Sequence, residues 1–226
     1  SIPAMPYNPR IHHRRSYRLR GYDYAQPGLY FLTICTHDRA CLFGTIADGI
    51  MVNSDLGDLV SLEWLRSFEL RAEVVCDTWV LMPNHLHAVV GIAGDETPTA
   101  APPSPVRTHG SASLHRAPRS ISSFVAGFKA AATKWVNHAR GTPGAPLWLP
   151  RFYDHVIRTN HAAESIRAYV RTNPDRWPHD IDNPNGDGKD DHERFVRDLD
   201  LSADGEGRTA VRPYNQSHAH QHHDHP

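Results

Sequence analysis

Cysteine is scarce in this 226-residue chain: Cys35, Cys41 and Cys76 are odd in number and include no Cys-x-x-Cys pair. That pattern argues against a disulfide framework and against a thiolate zinc site. No apolar run approaches the roughly 18 residues that a membrane-spanning helix needs, and the first residues form no apolar signal segment. The expected setting is therefore the cytoplasm, with no membrane contact. An excess of one charge is missing too, since 24 Lys and Arg stand against 25 Asp and Glu, a net of −1.

The average conceals a split. Residues 1–174 carry 18 Lys and Arg against 13 Asp and Glu, whereas residues 175–226 carry 6 against 12. A basic body suits a polyanionic partner, and the basic residues are densest at the start, where Arg10, Arg14, Arg15, Arg18 and Arg20 come with no acid among them. Tyr7, Tyr17, Tyr22 and Tyr24 are interleaved with them, so this arm offers phosphate contacts and stacking surfaces for DNA together. With 39% hydrophobic and 22% charged residues the chain is long enough for one well-buried core. The division is then a basic arm over 1–24, one α+β domain over 25–177, and an acidic, His-rich tail over 178–226 expected to be extended and disordered. A Pro-rich stretch over 94–118 reads as a mobile loop inside the domain.

Within the domain, Leu29–Thr36 is rich in β-formers and predicts a central strand, and two short strands flank Asp48-Gly49. Asn53 or Ser54 can cap a helix running to about Leu70. Glu73–Leu81 and His85–Ile92 predict an antiparallel pair joined at Pro83-Asn84, and Ser120–Arg140 predicts a helix with an apolar stripe. Phe152–Arg158 reads as another strand, and a last helix opens near His161 and stops at Pro174.

Two features carry chemistry. His85 and His87 are separated by one residue in a strand, so both imidazoles emerge on one face. A bare His-x-His in a chain with 17 His can equally line a half-exposed sheet, and two ligands do not make a metal site. On the last helix, Tyr169 and Asn173 are four residues apart and share a face. Packed on the histidines, Asn173 supplies a third, oxygen ligand suited to Mg²⁺ or Mn²⁺, with open positions for phosphate oxygen and water. Tyr169 then stands as a nucleophile, although free tyrosine, with a pKa of about 10, needs help to lose its proton. Taken singly, Tyr169 reads as a buried aromatic and Asn173 as a helix cap.

The segments Leu19–Tyr24, Tyr30–Arg39, Met82–His87, Phe152–Arg158 and Tyr169–Pro174 together resemble the REP-associated tyrosine transposases, bacterial relatives of the single-tyrosine insertion-sequence transposases in the HUH endonuclease superfamily. The resemblance covers roughly residues 10–177. It implies a ferredoxin-like antiparallel sheet with packed helices, cleavage and rejoining of single-stranded DNA near palindromic hairpins, and a 5′-phosphotyrosine intermediate formed with Mg²⁺ or Mn²⁺. It also implies that His85 and His87 are the metal-binding pair, Tyr169 the nucleophile, and Asn173 the third ligand in place of the glutamine of insertion-sequence relatives.

Tyr153 is a rival nucleophile because it neighbours His155 and Arg158. His155 and Arg158, like Arg14, Arg15, Arg18, Arg20, Lys129 and Lys134, are candidates for holding DNA. A hairpin-binding protein without efficient cleavage is the alternative activity. A His-x-His metallohydrolase of another kind fits less well, because Val89 and Val90 stand where a further ligand is needed. The insertion-sequence relatives act as dimers, but no residue here chooses between monomer and homodimer.

Overall fold

The computed structural model describes residues 23–93 and 119–203. The arm residues Arg14, Arg15, Arg18 and Arg20, the loop over 94–118 and the chain beyond 203 lie outside the described residues.

Among the described residues six strands and five α-helices follow in order: β1 Gly28–Cys35, β2 Gly44–Ala47, β3 Ile50–Asn53, α1 Asp55–Glu69, β4 Val74–Leu81, β5 His85–Ile92, α2 Ile121–Arg140, β6 Tyr153–Ile157, α3 Asn160–Arg171, the single turn α4 Asn173–Arg176, and α5 His192–Ala203. The main sheet has the order β4-β5-β1-β6 with all neighbours antiparallel. Leaving aside the separate β2-β3 hairpin, this is a β-α-β-β-α-β succession with the two middle strands drawn from its first and third strands, the ferredoxin-like arrangement. The expected α+β class and antiparallel sheet are thus what the chain forms.

Local chemistry sets the helix starts. The Ser54, Ser120 and Thr159 side chains accept from the backbone N–H of Gly57, Ser123 and Ala162, so each helix begins one residue after a hydroxyl cap. Gly57 has a steric reason to be glycine: a Cβ there would enter the Phe43 carbonyl, against which the start of α1 is seated.

Strand alternation splits the core in two. Tyr30, Leu32 and Ile34 of β1 and Leu86, Ala88 and Val90 of β5 face α1 and α2, where Val60, Trp64, Phe124 and Phe128 complete an apolar layer. Leu29 and Phe31 of β1 and Val89 of β5 face the other way, against Ile166, Tyr169 and Val170 of α3 and Val196 of α5. His85, His87 and Tyr169 lie on this second face.

The last helix departs from expectation in a useful way. Pro174 does not end the helical path; α3 stops at Arg171, and Pro174 sits in the first turn of α4, where its missing N–H costs nothing. The larger correction concerns residues 178–203. The expected extended tail instead makes a parallel bridge between Asp180 and Asp190 and then forms α5, whose Val196 is 1% exposed in the second core layer. Phe195, Val196 and Leu199 fall on one helical face, enough apolar surface to dock an otherwise acidic segment.

Candidate metal centre

β5 starts at His85, opposite Cys35 of β1, and His87 lies opposite Thr33. Both imidazoles point to the second face and are wholly buried, with ring centroids 4.5 Å apart. Their outer nitrogens are held by named partners. Asn84 donates its amide to the carbonyls of Arg39 and Asp182, at 2.9 and 2.7 Å, which turns its own carbonyl oxygen toward His85. His85 Nδ1–H donates to that oxygen at 2.9 Å, leaving the lone pair on Nε2. His87 Nδ1 lies 2.9 Å from Thr33 Oγ1, and its ring stacks on Phe31.

The inner atoms have no such partners. His85 Nε2, His87 Nε2, both amide atoms of Asn173 and Asp180 Oδ2 are buried without a hydrogen bond. Orphaned buried polar atoms are rare and costly, and here five of them belong to four side chains of one neighbourhood. His85 Nε2 and Asp180 Oδ2 are 3.7 Å apart, too far to bond directly, and one ligand atom each from His85, His87 and Asp180 lie within 4.8 Å of one another. That spacing is close to the separation of ligands around a small divalent ion with bonds of about 2.0–2.2 Å. His85, His87 and Asp180 therefore form a buried group able to hold a metal ion.

Electrostatics fit the same use. Burial, with His192 and Arg39 nearby, holds His85 down to about 3. Burial, with His85 and His192 nearby, keeps His87 well below its ordinary value, so both are neutral ligands at physiological pH. Burial, then Asp190, raises Asp180 to about 7. Asn173 lies near enough to influence the ionisation of both His85 and Tyr169 while completing no hydrogen bond of ordinary geometry with either.

Tyr169 arrives on α3, its ring centroid 5.7 Å from that of His87. Its helix is tied to the sheet where β4 breaks register between Cys76 and Thr78. Asp77 in that break accepts two hydrogen bonds from Arg167, at 2.8 and 2.7 Å. Tyr169 is 2% exposed, stacked on Phe195 of α5 and lying beneath the Arg176 guanidinium. Burial, with Asp190 and Asp180 close by, pushes its hydroxyl well above the ordinary tyrosine range.

The remaining candidates separate. Tyr153 and His155 lie opposite Thr33 and Phe31, on the histidine face, and Tyr153 packs 5.1 Å from the His192 ring. His155 and Arg158 both meet Asp200 of α5, at 3.5 and 3.9 Å. Lys129 and Lys134 do not reach this centre, because α2 packs on the opposite face of the sheet. The Lys129 amine donates to the carbonyls of Leu149, Pro150 and Arg151, and Lys134 lies beside Trp135. Sequence reasoning missed Asp180 and His192; the Phe195, Val196 and Leu199 spacing was the signal that their segment folds.

Among the described residues no helix is long and apolar enough to cross a membrane. No family model matches the chain. It is 34% identical over 174 residues to an uncharacterized protein of Haemophilus influenzae, across 77% of this chain and 95% of that one. Among solved structures it is similar to a REP-associated tyrosine transposase bound to a REP hairpin, with TM-score 0.45 and 19% identity over 72% of this chain and 73% of the other. It is also similar to a candidate transposase from Deinococcus radiodurans R1, with TM-score 0.33 and 21% identity over 68% of this chain and 95% of the other.

Proposed function

The chain belongs to one family with the uncharacterized Haemophilus influenzae protein; from its ordered motifs and its buried centre we propose a metal-dependent endonuclease and strand transferase for single-stranded DNA. The substrate is DNA at or near palindromic hairpins, and the nucleophile is Tyr169. The observation that carries this reading is the meeting of α3 and the start of α4 with β5: Tyr169 lies beside His87, and unpartnered Asn173 lies among the same inward-facing atoms.

In this reading His85, His87 and Asn173 hold Mg²⁺ or Mn²⁺, which supplies polarisation of the scissile phosphodiester. Tyr169 Oη attacks phosphorus, forming a 5′-phosphotyrosine as the P–O3′ bond breaks. The phenolic proton leaves to solvent and the departing O3′ acquires a proton, giving a free 3′ hydroxyl. The reverse attack by a 3′ hydroxyl rejoins a strand and releases Tyr169. DNA phosphates are held by the basic arm with Arg14, Arg15, Arg18 and Arg20, and by His155 and Arg158 once these are released from Asp200. Residues 177–203 must move for this chemistry, because the rings of Trp177, His192 and Phe195 cover His85, His87 and Tyr169.

That cover also favours a second reading, a hairpin-binding protein with little cleavage, since a buried, protonated Tyr169 is a poor nucleophile. Incubation of 5′- and 3′-labelled hairpin oligonucleotides with Mn²⁺ or chelator, followed by denaturing gels, separates the two. Metal-dependent cleavage with protein on the DNA 5′ end supports the transferase; binding with no covalent adduct under any condition supports the second reading.

A further inference from the structure

Asp180 belongs to the covering segment, not to the sheet, and its two carboxylate oxygens have different surroundings. Oδ1 accepts the Asp182 backbone N–H at 2.6 Å, which fixes the side chain in a tight local turn. Oδ2 is buried without a hydrogen bond, 3.7 Å from His85 Nε2. Asp180 is 1% exposed. The segment is pinned at the rim by Asn84 donating to the Asp182 carbonyl and by the ion pair of Arg39 with Asp182. On its far side it stacks Phe195 on Tyr169. One short turn thus places a free carboxylate oxygen among the inward nitrogens of the histidine pair, while the same segment covers the nucleophile.

We propose that Asp180 is an additional protein ligand to the divalent ion, and that the ion shared by Asp180, His85 and His87 latches residues 177–203 closed over Tyr169. This rests on the metal-dependent reading above. A carboxylate oxygen added to two imidazoles and an amide oxygen favours hard ions such as Mn²⁺ and Mg²⁺ over soft ones. Because the closed form offers one more ligand than the open form, metal binding and closure favour each other, and the coupling is reciprocal. A phosphate oxygen of DNA competes with Asp180 for its position, so DNA and the segment exclude each other at the ion.

The test uses the full chain and no DNA. Mn²⁺ is titrated calorimetrically into wild type, Asp180→Asn and His87→Ala, and hydrogen exchange of peptides spanning 177–203 is followed with and without Mn²⁺. In wild type, Mn²⁺ slows exchange of that segment; in Asp180→Asn, Mn²⁺ binds about tenfold or more weakly and the added protection disappears. Affinity within about twofold of wild type in Asp180→Asn, or wild-type exchange in 177–203 indifferent to Mn²⁺, overturns the latch. The wild-type comparison stands even if Asp180→Asn folds poorly. Loss of binding in His87→Ala alone would retain the histidine site and refute only Asp180, and failure of Tyr169 to form a DNA adduct would leave both readouts unaffected.

Discussion

Leu86 and His87 are consecutive residues of β5, both fully buried, and they lie on opposite faces of one sheet. Leu86 enters a layer of Trp64, Phe124 and Phe128 in which Trp64 meets both phenylalanines edge to face. His87 enters a layer where Phe31, Tyr169 and His192 surround it and where its Nε2 has no partner. Burial is the same on both sides, but the chemistry differs. The first face gains its stability from dispersion and water removal, with the indole N–H groups of Trp64 and Trp148 as its orphaned polar atoms. The second keeps polar atoms unsatisfied in a dry interior, a cost of about 1–3 kcal/mol for each orphaned group that a bound cation would offset. One face holds the fold so that the other can hold a reactive site.

The contrast can be broken at its extremes first. Tyr169→Phe removes the proposed nucleophile without a cavity and is expected to lower adduct formation by about a thousandfold or more, with the urea midpoint little changed; cleavage surviving at wild-type rate would move the nucleophile elsewhere. Replacing neighbours on the two faces should give opposite outcomes. Leu86→Ala is expected to cost about 2–5 kcal/mol of stability while metal titration of the folded fraction stays near wild type. His87→Ala should abolish Mn²⁺ binding and leave metal-free stability almost intact. Equal stability losses from the pair, measured by denaturant unfolding, would refute the division of labour.

A smaller effect sits where the faces are joined. Arg167→Ala releases α3 from Asp77, and the partly buried bidentate pair is expected to contribute about 1–3 kcal/mol. As Arg167 touches no reacting group, the signature of a positioning role is a fall in kcat with KM nearly constant, partly restored by Arg167→Lys. A variant with lowered stability and unchanged kcat would reduce Arg167 to a structural tie.

The histidine face also predicts an acid response of the metal-free protein. His85 and His192 have folded values of about 3 and about 4, and His87 lies well below its ordinary value, all beneath the unfolded reference near 6.5. The unfolded chain therefore binds more protons in acid, and the stability present above pH ~6.5 is lost as pH falls toward the folded values. Asp180, raised to about 7, has the opposite sign and offsets part of the loss between pH 7 and about 4. With three groups against one, Tm is expected to fall from pH 6.5 to 4.5, and His87→Ala should shallow that slope. A flat profile would contradict the buried, neutral state of these imidazoles.

Much of this arrangement is legible in the sequence, and the reasons are local. Alternation along His85-Leu86-His87-Ala88 settles which side chains share a face, and Ser54 is legible as a cap of α1. The β4-β5 pair and the central β1 depend on short-range patterns, whereas the single helix face expected for Tyr169 and Asn173 is interrupted: α3 stops at Arg171 and Asn173 opens α4. What escaped depends on contacts distant in the chain. Asp180 is 95 residues beyond His85 in number, within an acidic stretch whose composition resembles a solvated tail. Only the docking of Phe195, Val196 and Leu199 reveals that it folds. Lys129 misled for a related reason: a lysine off an apolar stripe reads as a free cation, but its amine caps carbonyls of a loop some twenty residues later.

The central claim is that Tyr169 and the histidine pair act as one centre. The most direct measurement is to trap the covalent product of the full chain with a hairpin oligonucleotide in Mn²⁺, digest it, and locate the nucleotide-bearing peptide by mass spectrometry. The account predicts a phosphodiester-linked nucleotide on Tyr169, absent with chelator and absent in His87→Ala. A nucleotide on Tyr153, or an adduct on Tyr169 that forms equally well without metal, would contradict it.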